Sequence, residues 1–483
     1  MPHDNPPRDR SARSLRRATL ALLGSGIACA TLLTCKRPTS TGESPLPSAS
    51  APLPAGSSVP ERCTAAAKGA VFTLGKAGPR APADADDEPA AQPFAVEIGD
   101  AAALETGFAV TALQSSGAET RALIASIPPD AARGKVVDLG RVHGDAEPPR
   151  LAAQGARIFF ALADHDPASA RLRVGMLAET GGSLQVTWGF ETSRTGRGAS
   201  AFDLAVTRKR GLLVWEEMDA RAERQLVRVA SFSLENPAAV TEPKTLAAGS
   251  LEQEMPAAVP RGSGYWLAWV ASAPTPRPGA AAGARPTVKP SRVAPEGSSD
   301  PAPSVLDFGN RWIEIVALDE NAAPIGAPQA VTPRDRHVLI FDLAESADGG
   351  ALLAWRDDDS APGAESRIVH LARVNAGGAV ERFVIDDEEV GAGAPSLLSD
   401  TKASAPTWLA LESVTHDTRI AALSARGDVL DELRAEGAIG NADVLAARDG
   451  RLLLGRPRGL AAELRVVACK PGAPKTAPRA SAH

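Results

Sequence analysis

Positive charge is not in excess in this sequence, and this narrows the possible partners. Lysine and arginine together number 52 against 58 aspartate and glutamate residues, which gives a formal net charge of −6 and an isoelectric point near 5.8. A protein that binds nucleic acid through its overall charge is normally basic, so this balance argues against that function. It also disfavours electrostatic adhesion to anionic lipid.

Catalytic and cofactor-binding motifs are missing as well. The sequence contains no Gly-x-Ser-x-Gly elbow, no His-Glu-x-x-His motif, no Walker-type phosphate loop and no dinucleotide fingerprint. Its seven histidines are scattered, at positions 3, 143, 165, 337, 370, 416 and 483. His165 and His416 fall in similar loops of non-adjacent repeats, which disfavours a shared metal site. The sequence therefore identifies no catalytic residue, no cofactor and no metal site.

Two runs of carboxylates are candidate calcium sites. They are Asp357-Asp358-Asp359 and Asp386-Asp387-Glu388-Glu389. Neither has an EF-hand-like spacing, and both end strands, where solvated charges are common, so we interpret them as solvated strand ends. A weaker hypothesis places Glu216, Glu217 and Asp357, which follow equivalent tryptophans, at a binding mouth.

An apolar run long enough for an ordinary membrane helix is also missing near the N-terminus. The run at 18–33 (ATLALLGSGIACATLL) follows a leader with five arginines and two aspartates, and it stops before Lys36-Arg37-Pro38. A spanning helix needs about 20 apolar residues, whereas a basic flank before about 7–15 apolar residues is typical of a secretory signal. We interpret residues 1–34 as a signal peptide, with a short membrane anchor as the alternative.

The end of this run resembles the lipoprotein box of bacterial lipoproteins. The motif is Leu32-Leu33-Thr34-Cys35, which departs from the family at Thr34, where glycine, alanine or serine is usual. The resemblance implies lipidation of Cys35 and attachment to the membrane through that lipid. Cys29, preceded by alanine, is the second candidate, and ordinary cleavage without lipid is the third reading.

A tether follows at residues 35–62. After the cysteine the segment is rich in proline and serine and almost without large apolar side chains (KRPTSTGESPLPSASAPLPAGSSVPER). Such a composition cannot bury enough surface to offset the entropy of ordering. As a flexible coil it would span roughly 30 Å. We expect a disordered linker between the lipid and a globular domain.

The globular part is built from repeats. A small residue followed by an apolar run recurs seven times, beginning at Gly107, Arg157, Gly211, Gly264, Gly350, Thr407 and Gly450. Each copy is followed by an alternating segment, and these begin at Arg121, Arg171, Gln225, Arg311, Arg367, Arg419 and Glu463. Alternation with a period of two indicates half-buried antiparallel strands.

Further strands before and after these pairs give four strands in about 50 residues, which is typical of a β-propeller blade. Inner strands are clearest at Ala201-Phe-Asp-Leu-Ala-Val and Ile340-Phe-Asp-Leu-Ala-Glu. We predict an all-β fold, a seven-bladed β-propeller over residues 63–470. A pair of irregular β-sandwiches is the alternative.

The seventh repeat is one strand short, and the N-terminal segment Gly69-Ala-Val-Phe-Thr-Leu-Gly is expected to complete it. Closure of this kind leaves no unpaired sheet edge. It would bring Cys63 near Cys469, the two cysteines outside the signal region, and in an exported protein such a pair favours a disulfide. Two unrelated thiols are the alternative.

Low-complexity segments interrupt or end the domain. They are the inserts 76–92 and 273–305 and the tail 471–483. The second insert carries four basic residues and has two readings, a contact for an acidic partner or a plain flexible loop.

The whole plan resembles the secreted or lipid-anchored β-propellers found among uncharacterised lipoproteins of GC-rich bacteria such as myxobacteria. The resemblance implies a monomeric exported protein, at the outer membrane or in the periplasm of a Gram-negative bacterium, or secreted and soluble. We expect a binding scaffold for a protein, a peptide or a glycan. The alternative is an extracytoplasmic hydrolase or lyase with its site at the channel mouth.

Overall fold

The computed structural model shows a molecule built from β-strands. It describes residues 63–65, 72–74 and 96–469, with gaps at 117–118, 131–133, 144–145, 166–170, 181–182, 194–200, 220–223, 247–250, 274–309, 358–367, 387–389, 392, 401–405, 414–417, 435–442 and 459–460. In these residues every regular element is a strand. No helix among them is long and apolar enough to cross a membrane.

The strands fall into seven antiparallel sheets that follow one another along the chain. The two N-terminal strands and the first three sheets are β1 (Cys63–Ala65), β2 (Phe72–Leu74), β3 (Val96–Leu104), β4 (Gly107–Ser116), β5 (Glu119–Ile127), β6 (Lys135–Val142), β7 (Arg150–Gln154), β8 (Arg157–Asp164), β9 (Arg171–Thr180), β10 (Ser183–Ser193), β11 (Phe202–Val206), β12 (Arg210–Asp219), β13 (Arg224–Ser233) and β14 (Lys244–Thr245). The remaining strands are β15 (Glu252–Arg261), β16 (Gly264–Ser272), β17 (Arg311–Leu318), β18 (Pro324–Ala330), β19 (Val338–Glu345), β20 (Ala351–Asp357), β21 (Ile368–Val374), β22 (Val380–Asp386), β23 (Ser396–Leu398), β24 (Thr407–Glu412), β25 (Thr418–Leu423), β26 (Val429–Arg434), β27 (Asp443–Arg448), β28 (Arg451–Arg458) and β29 (Ala461–Cys469).

These sheets are the blades of a seven-bladed β-propeller, which confirms the predicted fold. The first strand of each blade, β3, β7, β11, β15, β19, β23 or β27, contacts its counterparts in the two neighbouring blades, and the contact between β27 and β3 completes the circuit. The later strands of each blade pair outwards in order. The first strands therefore surround a central channel and run in the same direction around it.

The hydrophobic core is a set of layers between successive blades. Blades 2 and 3, for example, share a cluster with Phe159, Phe202, Trp215 and Phe232, all fully or almost fully buried. Comparable clusters join the other neighbouring blades, including blades 7 and 1 across the closure. Complete burial of a large apolar side chain contributes about 1.5–3 kcal/mol. The ring is thus held by the packing of each blade on the next.

The glycine that recurs before the second strand of a blade has a steric cause. At Gly264 an added Cβ would lie 2.1 Å from the carbonyl oxygen of Leu318, at the end of the neighbouring strand. At Gly350 the same clash would occur with the carbonyl oxygen of Val374, at 2.3 Å. A side chain at either position would force the two strands apart, so the sequence repeat reflects a close backbone approach.

Blade 7 is completed from the N-terminal side of the chain. Both β1 and β2 pair antiparallel with β29, whereas the sequence predicted one strand there. In β2, Phe72 lies opposite Leu464, within the predicted segment. In β1, Cys63 lies directly opposite Cys469. The two cysteines therefore lie within the strand pair that closes the ring.

Several sequence-based predictions concern other parts of the chain. The signal peptide at 1–34, Cys29, Cys35, the tether at 35–62, the insert at 76–92 and the tail at 471–483 lie outside the described residues. The insert at 273–305, apart from Ala273, lies outside them too. The described strands flanking it are β16 and β17, the middle strands of blade 4, as predicted.

Candidate functional site

The central channel contains a cavity of about 380 Å³. Its wall includes residues from the first strand of every blade, mostly alanine and leucine with a few charged side chains. The charged residues in the wall are Asp100, Arg150, Asp203, Asp342, Glu345 and Asp400. The volume lies within the range of small-ligand sites, and the exposed wall is about equally polar and apolar.

Three of these residues, Asp100, Asp203 and Asp342, form a repeated contact between blades, and we call them the clasp aspartates. Oδ1 of Asp203 accepts a hydrogen bond from the backbone N–H of Leu204 at 2.9 Å, and its Oδ2 accepts from Ala258 in the next blade at 2.8 Å. The other two make the same pair of bonds, from Ala101 and Leu151 to Asp100 and from Leu343 and Leu397 to Asp342. Each clasp aspartate thus ties an odd-numbered blade to the following even-numbered one.

Arg150 occupies the equivalent position in blade 2. Strand register shows this, since Ala101 opposite Val110 in blade 1 corresponds to Leu151 opposite Phe160 in blade 2. Arg150 also reaches the next blade, because its Nε donates a hydrogen bond to the carbonyl oxygen of Phe202 at 3.2 Å. Its side chain is 16% exposed. A cation therefore lies where blades 1, 3 and 5 have carboxylates.

The carboxylates around the channel keep this guanidinium charged. Burial lowers the pKa of Arg150, but the charges of Asp100, Asp203, Glu147 and Asp342 outweigh this effect, and the pKa is raised above its ordinary value. Arg150 is the single basic side chain in the described part of the cavity wall.

Two more carboxyl groups belong to the cavity wall. Glu345 ends β19, and burial raises its pKa to about 7. Asp400 follows β23 and accepts hydrogen bonds from the backbone N–H groups of Asp449 and Gly450, at 2.8 and 3.0 Å, in the neighbouring blade. Arg150 corresponds in register to Asp342, which precedes Glu345 by three residues, so these two groups lie further along the channel than Arg150.

The acidic residues that the sequence placed at a binding mouth are located elsewhere. Glu216 is 4% exposed and accepts a hydrogen bond from the backbone of Met255, and Glu217 accepts one from Trp215 at 3.2 Å. None of Glu216, Glu217 and Asp357 is in the described cavity wall. They belong to the packing within and between blades, so this hypothesis is wrong for the channel.

Asp357 is also not a solvated strand end, because it is 2% exposed. Its Oδ2 lies 3.4 Å from Nε2 of His370, and the ring of His370 stacks on Trp355 with 5.3 Å between the centroids. The rest of the first acidic run, the side chain of Asp386 and residues 387–389 lie outside the described side chains.

The histidines stay apart in the described residues. His143 pairs with Asp164, with 3.0 Å between Nδ1 and Oδ1, and His165 follows β8. His3, His416 and His483 lie outside the described part of the chain. Among the residues that the structure describes, no group of three or more histidine, cysteine or acidic side chains is arranged to hold a metal ion.

Sequence reasoning missed the clasp aspartates and Arg150. A signal was available, because Phe-Asp-Leu-Ala occurs in the first strands of both blade 3 and blade 5. Blades 1 and 2 carry Gly-Asp-Ala and Pro-Arg-Leu at the same place, so the repeat is visible there only after the strand registers are known.

Comparisons with known proteins extend to the fold alone. No family model matches the chain, and no curated protein matches it. The β-propeller domain of the Trilobed protease from Pyrococcus furiosus is similar, with a TM-score of 0.44 and 10% identity over 80% of this chain and 98% of that chain. An α-L-arabinanase from Penicillium chrysogenum has a TM-score of 0.39 and 9% identity over 66% and 92%.

A third similar structure is an acylaminoacyl peptidase from Pyrococcus horikoshii, with a TM-score of 0.42 and 13% identity. The match covers 77% of this chain and 51% of the peptidase, so the chain spans about half of that protein. At these identities the similarity concerns the propeller architecture and carries no argument about activity.

Proposed function

We propose that the protein is a cell-envelope lipoprotein whose β-propeller binds a ligand in its central channel. The observation that carries the proposal is the cavity of about 380 Å³, whose wall combines apolar side chains with charged groups from several blades. The clasp aspartates, Arg150 and Asp400 are fixed by hydrogen bonds to backbone groups, so a ligand would meet charged groups that are already in place. Such preorganisation lowers the cost of binding.

The chemistry of the wall favours binding over catalysis. The clasp aspartates use both carboxylate oxygens to accept backbone hydrogen bonds. The hydroxyl of Ser399 donates to the carbonyl oxygen of Glu345 at 2.8 Å. The described wall residues include no histidine, cysteine or lysine, so a general base among them would have to be a carboxylate.

The described outer surface offers less to a large protein partner. Its exposed large apolar residues are Val136, Val240, Ile325, Leu339, Val384 and Val429, which come from five different blades. Single exposed apolar side chains of this kind are normal on soluble surfaces, whereas a docking face presents a contiguous patch. We therefore propose a small molecule or a chain end as the ligand, in preference to a folded domain.

Location and linkage complete the proposal. The signal peptide, lipidation of Cys35 and the tether would hold the propeller at a membrane surface of the envelope. Within the propeller, the register that sets Cys63 opposite Cys469 supports a disulfide across the closing strands. The protein would then be a tethered monomer with a covalently closed ring.

An extracytoplasmic hydrolase or lyase is the second candidate, and Glu345 favours it. With a pKa raised to about 7 by burial, this carboxyl group would exchange protons near neutral pH. Its position in the cavity wall would let it reach a bound molecule.

The test is capture of a ligand by the mature protein from an extract of the cell envelope, read by native mass spectrometry. Ala153→Leu narrows the cavity, and Ala347→Leu adds the same volume on an exposed turn as the matched control. We expect a small molecule on the wild-type protein and the control, and much less on Ala153→Leu. Thermal unfolding shows whether the variant is folded, and Ala102→Leu replaces it if it is not.

Equal capture by a folded narrowed variant, or no capture by the wild-type protein, would overturn channel binding. Conversion of the captured molecule by the wild-type protein, lost in Glu345→Gln, would favour the enzyme.

A further inference from the structure

Arg150 has hydrogen-bonding capacity that the fold does not use. Of its guanidinium nitrogens, Nε makes a hydrogen bond within the described residues, to the carbonyl oxygen of Phe202. Nη2 lies 3.8 Å from Oε2 of Glu147, which is within ion-pair distance but too long for a hydrogen bond. The two Nη groups together carry four N–H donors. They belong to a residue in the wall of the cavity, and they make no hydrogen bond to the described residues.

The position of the guanidinium is nevertheless fixed. Its Nε is held by the next blade, and its central carbon lies 5.9 Å from the centre of the Phe202 ring. A guanidinium held in this way presents a planar fork of donors that matches a carboxylate, with little entropy left to lose on binding. Arg150 therefore resembles an anchor for a ligand carboxylate more than a simple structural contact.

The same cavity excludes an anion that carries no compensating positive charge. Asp100, Asp203 and Asp342 line it together with Arg150, and their charges, with that of Glu147, raise the pKa of Arg150. A purely anionic ligand would meet a surplus of negative charge, whereas a purely cationic ligand would leave the Nη donors of Arg150 unused. A ligand with both charges satisfies both sets of groups.

We propose that the channel binds a zwitterion, either a free amino acid or a short peptide with free ends. Its carboxylate would accept hydrogen bonds from the Nη groups of Arg150, and its ammonium group would lie toward the clasp aspartates. The cavity of about 380 Å³ has room for about twelve water molecules at liquid density, which is more than a dipeptide of small residues occupies, so such a peptide fits inside it. This inference rests on the proposed binding function and names its ligand class.

The test is calorimetric titration of the mature protein with alanyl-alanine, alanyl-lysine and alanyl-glutamate. Each peptide is compared with its C-terminal amide and its N-acetyl derivative. We expect at least one free peptide to bind, and both derivatives of it to bind about tenfold or more weakly, because each has lost one charged partner.

Variants of Arg150 test the anchor directly. Arg150→Gln removes the charge, and Arg150→Lys keeps the charge without the planar fork. We expect Arg150→Gln to lower the affinity for the free peptide about tenfold or more and to leave the affinity for the amide unchanged. The affinity of Arg150→Lys for the free peptide should lie between those of Arg150→Gln and the wild-type protein. Arg121→Gln, on the exposed side of blade 1, is the matched control and should bind normally. Circular dichroism establishes that each variant is folded.

The outcomes separate this inference from the proposed function. If no free peptide binds, or if amide and acid bind equally, the zwitterion is wrong. If the envelope extract still supplies a molecule that the narrowed variant Ala153→Leu fails to capture, channel binding stands with a different ligand class. If the narrowed variant captures that molecule as well as the wild-type protein does, channel binding itself fails.

Discussion

At the scale of residues, one strand position determines how neighbouring blades are joined. That position is aspartate in blades 1, 3 and 5 and arginine in blade 2, and in each case the side chain bonds to the backbone of the next blade. In blade 4 the same position is Ala257, which has no side-chain polar group. Blade 4 is joined to blade 5 elsewhere, for example by Trp266, whose Nε1 donates a hydrogen bond to the carbonyl oxygen of Gly349 at 3.2 Å. In blade 7 the position is Leu445, which packs in the layer shared with blade 1. The channel charges are therefore structural, and under the proposed function they would also contact the ligand.

The clasp aspartates should contribute measurably to stability. Asp342→Ala removes the acceptors of the backbone N–H groups of Leu343 and Leu397, and an amide left without an acceptor away from water costs about 1–3 kcal/mol. We expect the free energy of unfolding in urea to fall by about that amount. In Asp342→Asn, which retains one acceptor oxygen, the free energy of unfolding should fall by less.

Glu242→Ala is the control, since Glu242 is exposed, and it should change the free energy of unfolding by less than about 0.5 kcal/mol. A loss for Asp342→Ala no larger than this control would show that the clasp contributes nothing.

At the scale of strands, the sequence was most informative where burial imposes a pattern. All seven second strands and all seven third strands were predicted, because each is buried on both sides or alternates. The outer strands were harder to find. β18 is mostly exposed and contains two prolines, and β14 has only two residues, so neither carries a hydrophobic period. These outer strands form because they pair with the third strand of their blade, and this pairing leaves no hydrophobic pattern in the local sequence.

The same limit applies to the candidate site. Cys63 and Cys469 were brought together by counting repeats, and the register of β1 with β29 agrees with that argument. The clasp aspartates and Arg150 were missed because their role depends on contacts between blades about 50 residues apart in sequence. Glu216 and Asp357 were assigned to the mouth from position alone, whereas burial shows that they lie in the packing.

The closing strand pair gives the prediction at this scale. β1 has three residues, so its backbone hydrogen bonds alone would hold the N-terminal edge weakly. A Cys63–Cys469 bridge would close a loop of roughly 400 residues, and in the chain-entropy model it would raise the free energy of the unfolded state by about 6 kcal/mol. We expect Cys63→Ser to lower the free energy of unfolding substantially, and alkylation before reduction to leave both residues unmodified in the mature wild-type protein, as mass spectrometry would show.

The wild-type protein under reducing conditions provides the comparison for the variant, and it should be destabilised to the same extent. Modification of both cysteines without reduction would remove the bridge, and the closure would then depend on strand pairing and on the burial of Leu74 in the layer between blades 7 and 1.

At the scale of the whole molecule, the segment that closes the ring directly follows the segment proposed to attach the protein to a membrane. The described propeller begins at Cys63, in a strand of the last blade. A tether that ends there would transmit any pull from a membrane to the closing edge of the ring. A bridge to β29 would carry this load to a strand that pairs along its full length with β28. The lipid anchor, the tether and the disulfide would then transmit force from the membrane to a fully paired strand of blade 7.

The attachment itself is tested by replacing the two candidate cysteines separately. If Cys35 carries the lipid, Cys35→Ala leaves no thiol for lipid transfer at that box, and the protein should move from the membrane fraction to the soluble envelope fraction and lose labelling by a fatty-acid analogue. Cys29→Ala should change neither fraction nor label, and it serves as the matched control because the apolar run is preserved. The propeller should remain folded in both variants, because both cysteines precede its first strand.

Unchanged labelling and membrane retention in Cys35→Ala would contradict the assignment of the lipid to Cys35. Loss of both labelling and membrane retention in Cys29→Ala would assign the lipid to Cys29.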